Sequence, residues 1–100
     1  MPLSQNEQNT LYVGDVGTKI VVNIGIPADD VILAKLKVKK PDKTVVEWDA
    51  TPVSGTENVE YVIQEGDLDQ EGKYELQAYI ETATWKGHGT EAYFFVKQHL

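Results

Sequence analysis

From residue 11 onward, apolar and polar residues alternate along most of the chain, the two-residue period that lines one face of a β-strand. The plainest run is 31–39, where Ile32, Ala34, Leu36 and Val38 fall on one side and Lys35, Lys37 and Lys39 on the other. A helix would scatter those lysines around its circumference, whereas a strand collects them on one wet face. The same alternation predicts strands over 11–13, 18–24, 44–51, 59–63, 73–82 and 90–97. Their inward sets are Ile20, Val22 and Ile24; Val46, Trp48 and Ala50; Val59, Tyr61 and Ile63; Tyr74, Leu76, Ala78 and Ile80; and Ala92, Phe94 and Val96. Between them stand breaker clusters at 14–17, 25–30, 40–43, 52–58, 65–72 and 83–89, rich in Gly, Pro, Asp and Asn. Residues 1–10 are polar and without period, and are expected to form a flexible arm before one domain over 11–100.

About seven short strands separated by turns, with no helical run, predict an all-β protein in which two antiparallel sheets pack face to face as a β-sandwich. A small barrel is the second architecture that pattern allows. Leu68, Gly72 and Tyr74 stand in the arrangement Leu-x-x-x-Gly-x-Tyr-x-Leu at the start of a strand. This resembles the tyrosine corner of immunoglobulin-like domains, whose Tyr hydroxyl bonds back to the preceding corner. An Asp is usual there four residues before the Tyr, a position held here by Gln70.

Composition narrows the function. All nine basic residues are Lys, against sixteen Asp and Glu, for a net charge of −7. Such a chain repels a phosphate backbone, so nucleic acid is not an expected partner. With no Cys there is no disulfide or thiolate chemistry. No apolar run is long enough to span a bilayer, and the polar start lacks the pattern of a signal peptide, so neither a membrane nor export by a leader is expected.

The chemistry-bearing residues form no catalytic pattern. Asp67, Asp69 and Glu71 before Gly72 begin like a calcium loop, but the twelfth position, where an EF-hand needs a bidentate Glu, is Ala78. A solvated acidic turn is the expectation. His88 and His99 lack metal-ligand spacing, and Ser4 and Ser54 lie in the arm and in a loop, away from any rigid element that would position a nucleophile. No phosphate-binding glycine motif occurs. The chain is therefore expected to be a non-enzyme without cofactor or metal. The segment that invites binding is Thr84-Trp85-Lys86-Gly87-His88-Gly89, a loop-borne aromatic beside a cation, which makes Trp85, Lys86 and His88 the candidate interface. The competing expectation is that Trp85 folds back over the open end of the sandwich. The row Lys35, Lys37 and Lys39 is expected to pair across strands with Glu75, Gln77 and Glu81, and to protect the sheet from edge association.

Three segments carry a family resemblance: Tyr12-Val13-Gly14-Asp15-Val16-Gly17-Thr18, the hairpin from Val38 to Trp48, and the stretch from Gly66 to Ala78. In order and spacing they are similar to small bacteriophage structural proteins with an immunoglobulin-like domain, and to the N-terminal domain of the phage baseplate upper protein. The segment from Trp85 to Gly89 resembles a loop of the short members. The resemblance implies a virion component, of tail, baseplate, neck or capsid surface, made in the host cytoplasm. It would contact larger phage structural proteins, with self-association as a further expectation. The chain stops near its last strand, without the long helical regions of a baseplate upper protein, which points to a free-standing module. The alternative function is a carbohydrate- or host-surface-binding module that uses Trp85 as a stacking platform.

Overall fold

The computed structural model describes residues 11–89 and 91–100. The expected arm, 1–10, lies outside the described residues, as does Thr90, the expected start of the last strand.

The described residues form nine strands: β1 (Leu11–Tyr12), β2 (Lys19–Asn23), β3 (Val31–Lys39), β4 (Val45–Asp49), β5 (Thr51–Pro52), β6 (Asn58–Val62), β7 (Gly72–Thr82), β8 (Lys86–His88) and β9 (Ala92–Lys97). One turn of 3₁₀ helix, Ala28–Asp30, precedes β3. All seven expected runs carry strand, and two short strands are added to them. The run 44–51 divides at Ala50, where the chain leaves one sheet for the other, so β4 and β5 are separate. The run 83–89, expected as a loop, contains β8 paired to the second half of β7.

The larger sheet has the order β1-β9-β7-β3-β4, with β8 also beside β7; the smaller has the order β2-β6-β5. The pairing of β1 with β9 is parallel and every other pairing is antiparallel. The expected wholly antiparallel sandwich is corrected at that edge. After β1 the chain crosses to the other sheet instead of folding back, and this leaves β1 beside the last strand in the same direction.

The two sheets share one core. Ile20 and Val22 of β2, Val59 of β6 and Ile63 meet Leu36 and Val38 of β3, Trp48 of β4, Leu76, Ala78 and Ile80 of β7, and Phe94 and Val96 of β9. No charged or polar side chain is buried among the described residues. Cohesion therefore comes from apolar burial, about 1.5–3 kcal/mol for each large side chain fully removed from water. The expected inward faces hold, with one exception. Ile32 was expected inside and is 70% exposed, because the register of β3 against β7 shifts by one residue between Val31 and Leu33. A β-bulge of this kind turns the extra residue out of the pleat.

The crossing from β6 to β7 is a tied corner. The Tyr74 ring is fully buried and stacks on Phe94 at 5.3 Å between centroids. The Gln70 N–H donates to Tyr74 Oη at 3.1 Å, and Leu68 is buried beneath the same corner. The β3–β4 turn docks on it: Lys40 Nζ meets Asp69 Oδ1 at 2.9 Å, and the Asp42 N–H donates to Gln70 Oε1 at 3.0 Å. Gly72 completes the fit. Its φ is +132°, and a Cβ there would stand 3.0 Å from Pro41 Cβ and Cγ. Earlier in the corner, Tyr61, stacked on Trp48 at 4.7 Å, donates its hydroxyl to Asp67.

Loss of one bond at this corner is expected to be measurable in urea unfolding. Tyr74→Phe should cost about 1 kcal/mol. Gly72→Ala should cost about 1–3 kcal/mol through strain and the clash with Pro41. Alkaline titration supplies a second check. Burial, with the Asp67 hydrogen bond for Tyr61, raises both Tyr61 and Tyr74 above the ordinary phenol value of 10.0. Both phenols ionise later in the folded protein than in the unfolded chain. Their contribution to stability is therefore complete below pH 10 and is lost as the pH rises through the folded values. Tyr61→Phe and Tyr74→Phe should flatten the alkaline fall of the urea midpoint.

Candidate functional site

β7 is eleven residues long and outruns β9, so its far half pairs with β8 instead. Beyond the end of the pairing with β9, β7 and β8 form a hairpin. Its turn is closed by the Thr82 N–H on Trp85 O at 2.7 Å and by the Trp85 N–H on Thr82 Oγ1 at 3.1 Å. Thr is suited to this because its hydroxyl accepts from backbone amides two or three residues on.

Facing the hairpin is the segment that joins β2 to β3. It is anchored from behind by the Ala28 N–H on Thr56 O at 2.8 Å, by the Ile24 N–H on Glu57 O at 2.8 Å, and by Ser54 Oγ on Asp29 Oδ1 at 2.9 Å. Between the two lies an open groove of about 500 Å³ lined by Ile26, Pro27, Asp30 and Thr82 to Trp85. Val31 pairs with Thr82, so the two walls join at their base along the ladder of the larger sheet.

Trp85 remains 47% exposed while one side of its indole lies across Gly87. A Cβ on Gly87 would stand 2.9 Å from Trp85 Cε2, closer than real atoms approach. Trp85 thus covers backbone of its own hairpin and presents the rest of its area to solvent. Asp30, the groove's charged side chain, forms no ion pair among the described residues, whereas the neighbouring Asp29 accepts from Ser54.

The structure does not bring the three candidate interface residues together. Gly87 stands opposite buried Ile80, while Lys86 stands opposite Glu81 and His88 opposite Tyr79. By strand alternation, Lys86 and His88 project from the other face of the hairpin from the Trp85–Gly87 contact. His88 packs instead against the Tyr79 ring at 5.2 Å, and neither Lys86 nor His88 lines the groove. The corner residues Leu68, Gly72 and Tyr74, by contrast, converge on one feature. It lies at the opposite end of β7 from the groove.

Two of the three acidic residues of the corner are turned to protein partners, Asp67 to Tyr61 and the Gln64 N–H, Asp69 to Lys40. No group of three or more His, Asp or Glu side chains gathers as a metal site among the described residues. The lysine row does lie beside β7, with Lys37 opposite Gln77 and Lys39 opposite Glu75. Its ion pairs run the other way, from Lys35 to Glu47 and Asp49 of β4, each at 3.7 Å. β3 is also an interior strand, so the expected edge protection falls to the acidic residues of β4. Trp85 is not alone among exposed aromatic residues, since Phe95 and Tyr12 also face solvent.

Compared with protein-family models, with curated proteins and with solved structures, the chain matches none. Sequence reasoning found Trp85 but missed the facing wall. Ile26, Pro27 and Asp30 read only as loop, and no local pattern shows which loop a distant hairpin will face.

The two tryptophans allow a direct check. Trp48 is 5% exposed and Trp85 47%, so acrylamide should quench one fluorescence component and spare the other. Trp85→Phe should remove the quenchable component. Gly87→Ala should displace the indole and make it more quenchable.

Proposed function

We propose that this chain is an immunoglobulin-like binding module without catalytic function, serving as a structural or adaptor component of a bacteriophage virion. The fold reading is supported by strand order. β2-β6-β5 against β9-β7-β3-β4 follows the B-E-D against G-F-C-C′ order of immunoglobulin domains, and Tyr74 with Gln70 makes the bond of a tyrosine corner. The virion setting is supported by the resemblance of 12–18, 38–48 and 66–78 to short phage structural proteins.

The observation that carries the binding function is the groove. In immunoglobulin order its walls are the B–C and F–G loops, the end of the sandwich that variable domains use for recognition. A half-exposed Trp held rigid by Gly87 offers large contact area at low entropic cost. Larger phage structural proteins are the partners in this reading. The contact is passive, a rigid sandwich presenting one end to repeated copies.

Mass spectrometry of particles purified from the phage that encodes the chain should find it at fixed stoichiometry. Particles that lack it overturn the virion assignment. A Trp85→Ala variant, still melting cooperatively, should be lost from particles by tenfold or more, roughly the effect of one interface hot spot.

A further inference from the structure

The groove is not a uniformly apolar slot. Its lining combines the apolar residues Ile26, Pro27, Ala83 and Trp85 with the polar Thr82 and Thr84 and the acidic Asp30. An aromatic face and a carboxylate lining one cleft are the two halves of a cation site. The ring quadrupole attracts a cation lying over it, and the carboxylate gives a charge-assisted hydrogen bond at its edge. No described residue supplies that cation. Asp30 has no ion pair among the described residues, and the four ion pairs present use Lys19, Lys35 and Lys40. Lys86, adjacent to Trp85 in sequence, projects from the opposite face of the hairpin. The chain has no Arg at all, and its net charge of −7 favours the approach of a basic partner.

We propose that the groove is the seat of an arginine side chain on an extended segment of a partner protein, the guanidinium stacked on Trp85 and paired with Asp30. This rests on the reading of the groove as the docking end of the module and names what docks there. Arginine is chosen over lysine on physical grounds. Its plane matches the indole, its fork matches a carboxylate, and it is more weakly hydrated than an ammonium, so covering it against Ile26 and Pro27 costs less. Flanking residues of the segment rest on Thr82 to Thr84. Gly87 acts as a positioning residue, because only a bare backbone lets the indole lie where the guanidinium can stack.

The test uses the full chain, ¹⁵N-labelled, titrated with a pentapeptide that carries one central arginine between two prolines. The same peptide with citrulline, the neutral isostere, is the control. The arginine peptide is expected to shift the Trp85 Nε1–H signal and the amides of Asp30 and Thr82 to Trp85 saturably, and to bind roughly five- to tenfold more tightly than the citrulline peptide. Asp30→Asn should erase that difference and leave citrulline binding unchanged, and Trp85→Ala should weaken both peptides. Asp30 is exposed, so its variant should fold and carries the test alone if Trp85→Ala does not fold. Equal binding of the two peptides, or an Asp30→Asn variant that behaves like the parent, overturns the arginine seat while leaving a groove that docks neutral segments. Shifts confined to Glu47 and Asp49 on the outer sheet, or no shift at the groove, also overturn it. The docking reading itself fails separately, if Trp85→Ala particles retain the protein at full stoichiometry.

Discussion

Where the chain crosses from the smaller sheet to the larger, the Tyr74 hydroxyl accepts the Gln70 N–H and holds the crossing against the core. The chain has no cysteine, so no covalent tie can do this instead. The ring fills the interior beside Phe94 while its oxygen satisfies a backbone donor that the sharp corner leaves without a ladder partner. Apolar volume and polar satisfaction are thus met by one residue. The β3–β4 turn leans on the same corner through Lys40, Pro41 and Asp42.

The other end of the molecule is built on the same strand. β7 pairs with β3 over most of its length, and on its other side it exchanges β9 for β8. Each end therefore has its own partners, and the groove can be shaped by Thr82, Gly87 and the anchored 3₁₀ turn without disturbing the corner. A rigid body tied at one end, with loops held by backbone hydrogen bonds at the other, presents a surface that loses little entropy on contact.

Apart from the Lys40–Asp69 pair at the corner, the ion pairs of the described residues lie on the wet faces of the sheets. The outer face of the larger sheet carries acidic β4 beside basic β3, with ion pairs of 3.7 Å between solvated side chains. Such pairs contribute a few tenths of a kcal/mol up to about 1 each. They organise the wet face and add to solubility more than to stability. Asp30 stands apart from that pattern, since it lines the groove with Trp85 and forms no ion pair among the described residues.

The two-residue period in the sequence by itself determined the seven main strands and, Ile32 excepted, their inward faces, and the Leu-x-x-x-Gly-x-Tyr spacing marked the corner at Leu68, Gly72 and Tyr74. Each of these follows from local alternation and local turn chemistry. It also singled out Trp85, since a large aromatic among glycines is locally conspicuous. Tertiary structure alone decided the rest. Ile32 breaks its alternation because a bulge depends on the partner strand's register. The run 44–51 divides because changing sheets depends on where the second sheet lies. Trp85 parts from Lys86 and His88 because pairing with β7 imposes opposite faces on neighbours that a loop would leave free. Asp30 reaches the groove because two segments more than fifty residues apart are set side by side by the Val31–Thr82 pairing. Periodicity carries no information about distant pairing, and that is the physical reason the site, unlike the strands, could not be read before the fold was known.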